Sequence, residues 1–494
     1  THKPYNPQPT THNPQQRMPL FRLWLNNPLI ALLWHIALGA LTRYLPAALT
    51  AYYVLIIGYG VYDIIRRRDK GYLTAYYVMY VMGMEIVYRI GKFYIFWEMG
   101  KYGCIALLLA GLIATPEKRL AKSWPFLFFG LLLLPGIAAA LYYGHTDATY
   151  LRKIMLQHIS GPISLMMAGL YFYKATWRID WLKRLLRIAI LPSIAIVVFL
   201  FLKSNISSIS FGSTSNYSAS GGFGPNQVST ALGYGMVLLM FSLLNGWTLT
   251  INKITDIGLL VLLIFRGLLT FSRGGVGSAI IATIIALSIV MIFNSTYRKE
   301  FWGLTARVII GAVALTVIAI IANQLTNNYL LYRYQNKSGT DILYAQRDRQ
   351  QINVHNKSLL SGREIVLQEE LKSFASHPFW GVGAGRGTLE RENIFHYSMA
   401  SHTEFTRLLG EHGLFGLLIV IVFFIAIPLF HFKQYPFSFS RHWFLQFFLL
   451  VVFTMLHAGL RMAMPGIIFG LAFIIVTNLS PTRTDQISNP INEK

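Results

Sequence analysis

Long apolar runs separated by short polar segments dominate the chain. A helix of about 20 apolar residues crosses the hydrocarbon core of a bilayer, and about fourteen runs reach or approach that length. Only helices and closed barrels satisfy their own backbone polar groups in lipid, so continuous runs predict membrane-spanning helices. The runs lie at about 24–41, 46–65, 72–90, 100–114, 124–143, 159–173, 185–202, 227–247, 254–270, 277–293, 304–322, 406–430, 443–459 and 464–479.

Basic residues mark one side of the predicted bundle. Lys and Arg are enriched in the cytoplasmic loops of membrane proteins. With fourteen crossings all the dense basic clusters fall on one side, which we therefore assign to the cytoplasm together with both ends of the chain. These clusters lie near residues 66–70, 118–122, 174–187, 298–299 and 433–441.

A long polar insertion stands on the opposite, external side, at residues 323–405. Loops of this length in a compact fold are usually functional or disordered. Here Ser361 and Glu364 form a capping-box pattern, apolar residues follow at helical spacing, and His377-Pro378 ends the run. We expect a short amphipathic helix lying over the outer surface of the membrane.

The pattern as a whole predicts an all-α fold, a polytopic transmembrane helical bundle of about 12–14 spans with one large external loop that contains short helices. The predicted division is a disordered cytoplasmic tail at 1–23, transmembrane helices with short loops at 24–322, the large external loop at 323–405, C-terminal transmembrane helices at 406–479, and a cytoplasmic tail at 480–494.

Composition agrees with a bilayer-embedded chain. The 494 residues are 54% hydrophobic and 13% charged, whereas soluble domains carry about a quarter charged residues. The net charge of +23 follows from the positive-inside rule, or in part from binding a phosphate-bearing lipid. Because the basic residues are scattered between apolar runs, no nucleic-acid partner is expected. The single cysteine, Cys104, excludes an internal disulfide.

The segment from Ser401 to Arg407 is the strongest candidate for chemistry. Ser401 and Glu404 again have capping-box spacing, which predicts that His402 lies in the first turn of a helix at the external surface. The positive end of a helix favours neutral imidazole and attracts phosphate, so His402 could act as a general base. The alternative is an interfacial histidine that only caps or packs.

Ser272-Arg273-Gly274-Gly275 stands at the external end of two apolar runs. Arginine suits a diphosphate because its planar fork makes paired hydrogen bonds, and small neighbours would let a headgroup approach the backbone. The alternative is an arginine that anchors the helix end at the interface.

Further external polar residues are candidates for substrate contact, since external loops are usually poor in Lys and Arg. Asn226 and Gln227 open a predicted span after a Gly- and Pro-rich turn, where they could bind sugar hydroxyls or simply cap the helix. The remaining candidates are the cations Arg89, Lys92, Arg363, Arg386 and Arg407, with Glu404 beside the last.

Metal and nucleotide signatures are absent. The chain has no external Asp-x-Asp, no His-Glu-x-x-His and no Walker loop. We therefore expect no metal site, no cofactor and no ATP-driven step.

The order of these motifs resembles the O-antigen ligase and polymerase superfamily, which includes WaaL-type ligases, Wzy-type polymerases and O-linked oligosaccharyltransferases. The resemblance rests on Ser272-Arg273-Gly274, Gly362-Arg363, and His377-Pro378 with Gly381 and Gly383. It continues through Ser401-His402-Thr-Glu-Phe and Glu411-His-Gly413-Leu-Phe-Gly416. The family often has His-Asn where this chain has His402-Thr403, and about fourteen spans is at its upper end.

The resemblance implies a metal-independent, inverting glycosyltransferase of the bacterial inner membrane, with its active site facing the periplasm. The donor would be a glycan linked to undecaprenyl diphosphate, and the acceptor lipid A–core, another lipid-linked repeat or a protein. By this likeness His402 would be the catalytic base, and Arg273, Arg363 and Arg89 would hold the diphosphate. Ligase, polymerase and protein glycosyltransferase all remain open, as does the oligomeric state.

Two alternatives of another class also stay open. A flippase or transporter for an anionic lipid or solute would show related halves and ionisable residues at mid-membrane, which the sequence does not. A scaffold of a polysaccharide export complex would leave His402 and the external arginines unexplained.

Overall fold

The computed structural model describes residues 19–93, 95–144, 147–206, 209, 211, 215–293, 301–335, 363–396, 401–434 and 438–477. Within these residues the chain is almost wholly helical, so the predicted all-α class is confirmed. The helices are α1 (Pro19–Asn26), α2 (Pro28–Tyr44), α3 (Pro46–Arg66), α4 (Leu73–Ile90), α5 (Met99–Ala114), α6 (Pro116–Tyr143), α7 (Ala148–Phe172), α8 (Ile179–Ala189), α9 (Leu191–Lys203), α10 (Pro225–Leu244), α11 (Lys253–Leu269), α12 (Arg273–Phe293), α13 (Phe301–Leu325), α14 (Tyr329–Tyr334), α15 (Arg363–Ser376), α16 (Arg386–Phe395), α17 (Glu404–Ile421), α18 (Ile427–Gln434), α19 (Ser438–Met455) and α20 (Ala463–Ala472).

Six helical stretches of the described residues are long and apolar enough to cross a membrane. Five shorter apolar helices accompany them, and together they form a multi-pass membrane protein. The number of crossings stays a prediction. The six long stretches are Pro46–Arg66, Lys122–Tyr143, Ile179–Lys203, Pro225–Leu244, Arg273–Ile292 and Glu404–Gln434.

Two helices form the centre of the bundle. Every residue of α4 except Gly83 is buried, and all ten residues of α20 are buried. The helix α20 packs against α7 and α4. Its first residue, Ala463, donates its main-chain N–H to Glu85 Oε2 of α4 at 2.7 Å. The buried carboxylate thus holds the start of α20 beside the second half of α4.

The two ends of the chain differ from the sequence-based expectation. The helix α1 begins inside the predicted tail, because Phe21 and Trp24 bury their rings against Tyr77 and Tyr80 of α4. At the other end the last predicted span is cut short at Ala472. The next residues form a strand, β2 (Ile475–Thr477), which pairs in parallel with β1 (Thr176–Arg178).

The insertion predicted at 323–405 contains helices, as expected. The helices α14, α15 and α16 lie in it, and α15 ends at Ser376, directly before His377-Pro378. The capping residue predicted for α15, Ser361, lies outside the described residues, as does Gly362 of the family motif.

Candidate active site

A cavity of about 260 Å³ opens at the end of the bundle where α10, α12 and α15 begin. Its walls come from the first turns of these helices, from α14, and from the end of α19 with the turn that follows. The lining residues are Ser215, Asn226, Ser272, Arg273, Gly274, Gly277, Ser278, Ile281, Arg333, Arg363, Phe453, Leu456 and His457. We call this space the arginine cavity.

Three guanidinium groups share the arginine cavity. Arg273, Arg333 and Arg363 line it, and no carboxylate of the described chain does. Burial lowers the pKa of Arg333, and the charges of Arg273 and Arg363 lower it further. Burial and the charge of Arg273 likewise lower the pKa of Arg363. These mutual repulsions would be relieved by an anion bound among the three groups.

Helix ends add to the positive potential. Asn226, Arg273 and Arg363 each lie in the first two residues of their helix. A helix N-terminus carries partial positive charge and unpaired N–H groups, and so favours phosphate. Three such ends converge with three guanidinium groups at one cavity, and this arrangement suits a ligand with more than one negative charge.

Small residues bring these helix ends together. A Cβ on Gly275 would overlap the main chain of Ser229, and one on Gly233 would overlap the main chain of Gly275. The close approach allows Ser229 Oγ to donate to the Ser272 carbonyl at 2.9 Å. Ser272 Oγ in turn donates to Asn226 Oδ1 at 2.8 Å. Gly275 therefore serves helix packing rather than approach of a headgroup.

The sequence pattern predicts His402 in the first turn of a helix. The structure instead places His402 just before the helix begins. The helix α17 begins at Glu404, and Thr403 is its N-cap, accepting a hydrogen bond from the Thr406 main chain. Ser401 Oγ instead donates to the Thr403 carbonyl at 2.8 Å. The hydroxyl of Thr403 takes over the capping role, and His402 is left in the preceding turn, half-buried.

The surroundings of His402 favour its neutral form. Burial lowers its pKa to about 3, with the charges of Arg461 and Arg363 acting in the same direction. The main chain of His457 acts in the opposite direction and raises the pKa of His402. The buried Nδ1 atom has no hydrogen-bond partner within the described part of the chain. His402 is thus near Arg363 and His457, which both line the arginine cavity.

Main-chain hydrogen bonds join two of the segments that resemble the family, at residues 377–383 and 410–416. Gly413 interrupts α17 with φ 58 and ψ −134, which turns the main chain of 410–414 toward residues 378–383. Val382 N donates to the Gly410 carbonyl at 2.9 Å, and Leu414 N to the Pro378 carbonyl at 2.7 Å. The pairing joins the loop after α15 to the first half of α17, and so fixes the helix that follows His402.

A second cavity, of about 190 Å³, lies beside the first. Its walls come from the start of α5, the middle of α7, the first turns of α10 and α17, and the turn before α20. The lining residues are Trp97, Glu98, Lys101, Gln157, His158, Gln227, Ser401, Glu404, Arg407, Gly459, Leu460 and Arg461. We call this space the mixed cavity, because it contains acidic, basic and neutral polar groups.

Arg89 does not line either cavity. It is fully buried and lies 2.7 Å from Glu85 Oε1. Its Nη1 donates to Gln227 Oε1 at 2.8 Å and to the Arg461 carbonyl at 3.0 Å. Arg461 in turn donates to the Ser401 carbonyl. These contacts place Arg89 behind the site, where it supports Gln227 and the segment next to His402.

Arg407 and Glu404 are committed to a buried ion-pair network. Arg407 pairs with Glu404, and its Nη1 lies 2.6 Å from Glu411 Oε2. Glu411 Oε1 also lies 2.9 Å from His158 Nδ1. Glu404 Oε2 accepts the Leu460 main-chain N–H at 3.1 Å, which ties α17 to the turn before α20.

The other two predicted contacts lie away from both cavities. Arg386 begins α16 and donates to the Gly144 carbonyl, with its guanidinium over the ring of Tyr143. Lys92 has φ 59 and holds its ammonium 5.7 Å from the ring centroid of Tyr217. Asn226, by contrast, lines the arginine cavity, and Gln227 lines the mixed cavity.

Several site residues have no strong sequence signal. Arg333 lies in the short helix α14, and His457 and Arg461 in the turn between α19 and α20. His457 Nδ1 lies 2.8 Å from the Phe453 carbonyl, and a Cβ on Gly274 would overlap its ring. In the sequence, Arg333 and His457 are isolated polar positions outside any motif, and Arg461 is one of several external cations. Within the described residues, no group of three or more His, Cys, Asp or Glu side chains could hold a metal ion.

Comparison with known proteins finds a matching family model. Residues 258–421 match the family model described as O-antigen ligase, about a third of the 494-residue chain. The matched region includes Arg273, Arg333, Arg363 and His402, and it supports an O-antigen ligase or polymerase type of function. No curated protein matches the chain. Together with the multi-pass helical fold, the match supports a relationship to the O-antigen ligase and polymerase superfamily.

Proposed function

We propose that this protein transfers a glycan from undecaprenyl diphosphate to a hydroxyl of lipid A–core at the periplasmic face of the bacterial inner membrane. The observation that carries the proposal is the arginine cavity next to His402. Arg273, Arg333 and Arg363 line it, and three helices begin at its walls. A lipid diphosphate matches this concentration of positive charge.

In the proposed reaction His402 removes the proton of the acceptor hydroxyl. The acceptor oxygen attacks the anomeric carbon of the donor sugar from the face opposite the diphosphate. One carbon–oxygen bond forms as the bond to the diphosphate breaks, so the configuration inverts and undecaprenyl diphosphate leaves. The arginines stabilise the charge on the departing diphosphate, and no metal ion is required in this scheme.

The low pKa of His402 fits a base that becomes stronger when the donor binds. In the free protein burial, Arg461 and Arg363 hold the pKa of His402 at about 3, where imidazole is neutral but weakly basic. A bound diphosphate would offset the nearby guanidinium charges and so raise the pKa of His402. The base would thus gain strength only in the loaded site.

The proposal is tested with purified protein in lipid nanodiscs, undecaprenyl-diphosphate-linked glycan and lipid A–core. We expect glycosylated lipid A–core by mass spectrometry. His402→Ala should reduce transfer at least about a hundredfold while donor binding persists. Unchanged transfer by His402→Ala would remove the base from the scheme, and donor crossing the bilayer without a covalent product would favour a transporter.

A second variant tests where the donor binds. Gly277 lines the arginine cavity, and a Cβ added there meets no atom within 4 Å. Gly277→Leu should therefore fill the cavity without disturbing the helix packing, and weaken donor binding at least about tenfold. Gly258→Leu is the matched control, because Gly258 is also open, on α11, and lies outside both cavities. Equal donor affinity in both variants would place the diphosphate elsewhere.

The phenotype of a chromosomal deletion separates the three activities of the superfamily. Loss of capped lipid A–core is expected for a ligase. Single repeats left on lipid A–core would indicate a polymerase, and loss of glycoproteins would indicate a protein O-oligosaccharyltransferase.

A further inference from the structure

The mixed cavity has no role in the reaction centre described so far, and its chemistry differs from that of the arginine cavity. Two of its three Lys and Arg side chains pair with carboxylates of the lining, and the third, Arg461, donates to the Ser401 carbonyl. Lys101 Nζ is 2.5 Å from Glu98 Oε2, and Arg407 pairs with Glu404. Because most of the charge is compensated within the lining, the cavity suits a neutral polar ligand better than a second diphosphate.

The lining also retains hydrogen-bonding capacity. The side-chain amide of Gln157 makes no hydrogen bond within the described part of the chain. Gln227 accepts from Arg89 through Oε1, which leaves its Nε2 group as a donor next to the cavity. The half-buried residue Trp97 adds an aromatic ring, with the Arg89 guanidinium 5.1 Å from the ring centroid. Amides and carboxylates with one aromatic ring complement a saccharide, which presents hydroxyl groups and a C–H face.

The two cavities share a wall, and His402 lies next to residues of both cavities. Asn226 lines one cavity and the adjacent Gln227 lines the other. The turn before α20 likewise gives His457 to the arginine cavity and Arg461 to the mixed cavity. Ser401, the neighbour of His402, lines the mixed cavity, whereas the His402 ring lies near the main chain of His457.

We propose that the mixed cavity is a saccharide subsite, which holds the acceptor sugar and presents its hydroxyl to His402 across the shared wall. This assignment rests on the proposed function. It gives each substrate its own compartment, with the diphosphate among the arginines and the acceptor sugar against Gln157, Gln227 and Trp97. Sugars of the donor glycan offer the same chemistry, so the test must separate donor from acceptor.

The test measures transfer kinetics in nanodiscs while each substrate is varied in turn. The acceptor is lipid A–core and the donor is undecaprenyl-diphosphate-linked glycan, both purified from the deletion strain. Gln157→Ala should raise the KM for lipid A–core about tenfold or more and leave the KM for the donor unchanged. The shorter amide of Gln157→Asn should recover part of the loss. Gln335→Ala is the matched control, because Gln335 is exposed and lines neither cavity.

The outcomes separate a failure of the proposed subsite from a failure of the proposed function. A higher KM for the donor alone would assign the cavity to the donor glycan and overturn the acceptor subsite. Unchanged values for both substrates would show that the cavity binds no saccharide during transfer. A wild-type protein without transfer activity would instead overturn the proposed function. Trp97→Leu provides a second, independent test, since the loss of its ring should also raise only the acceptor KM.

Discussion

His402 is a half-buried imidazole within the field of several guanidinium groups, and this setting decides how it responds to pH. A histidine with an ordinary pKa of 6.5 would be about 97% protonated at pH 5. Burial and the charges of Arg461 and Arg363 instead hold the pKa of His402 at about 3. Because the shift is downward, the neutral form persists as the pH falls through the usual range of histidine.

We therefore expect the kcat/KM for the donor, which reports the free protein, to stay constant between pH 7 and pH 5. A base with an ordinary histidine pKa would lose about twenty-five-fold over the same interval. Initial transfer rates at low donor concentration provide the measurement. Return of the sample to pH 7 checks that the protein has not been inactivated, and a reversible loss of tenfold or more would contradict the pKa inferred for His402.

At the same scale, only part of the site could be predicted from the sequence. Arg273, Arg363 and His402 stand in recognisable motifs, and the structure places them around one end of the bundle. Arg333 and His457 could not be foreseen, because each enters the cavity through packing between distant segments and not through local spacing. Arg89 stands four residues after Glu85, a spacing that favours an ion pair on one helix. The full burial of Arg89 depends on packing between helices, so the sequence does not reveal it.

Among the elements, α17 shows how a motif can be structural and still control the site. Its first half carries Arg407 and Glu411, and its direction is set by the break at Gly413. A Cβ on Gly413 would lie 2.6 Å from main-chain atoms of Pro378, Phe379 and Gly381. The positive φ of this residue is also costly for any residue with a side chain.

Gly413→Ala should accordingly destabilise the protein by about 2 kcal/mol or more and lower transfer activity, because the start of α17 would shift next to His402. The thermal midpoint in detergent and the transfer rate are the measurements. Gly311→Ala is the matched control on α13, where an added Cβ meets nothing within 4 Å. Equal midpoints for the two variants would mean that the interlocked loop does not constrain α17.

The helices themselves were largely predictable, and the departures have physical causes. Apolar runs located α2, α3, α9, α10 and α12, since length and hydropathy are local properties. The strand β2 was missed because its apolar residues continue the run of α20, and only pairing with β1 reveals it. The start of α1 was missed because two aromatic rings in a short segment form no recognisable period.

Over the whole molecule, the orientation in the membrane can be tested by labelling. The only native cysteine, Cys104, is buried, so the background should be low. Gln335 lies in the insertion predicted to be external, and Lys70 in a basic cluster at the opposite end. Both side chains are exposed.

A membrane-impermeant maleimide should label Gln335→Cys in cells whose outer membrane alone is permeabilised. Lys70→Cys should react only after the inner membrane is broken, because the positive-inside rule places it in the cytoplasm. The extent of labelling is read by mass shift on a gel. The reverse pattern would invert the topology, and labelling of both variants in the first condition would contradict a cytoplasmic position for the basic clusters.

The parallel pairing of β1 with β2 has a consequence for biosynthesis. It joins Thr176 to Ile475, which lies near the last described residue, and the turn with His457 and Arg461 precedes β2 by one short helix, α20. A ribosome must therefore have translated nearly all of these residues before this ladder can form or Arg461 can reach Ser401. The nascent protein passes through membrane insertion with its arginine cavity still open on one side, and it becomes competent for transfer only after the turn before α20 has been made.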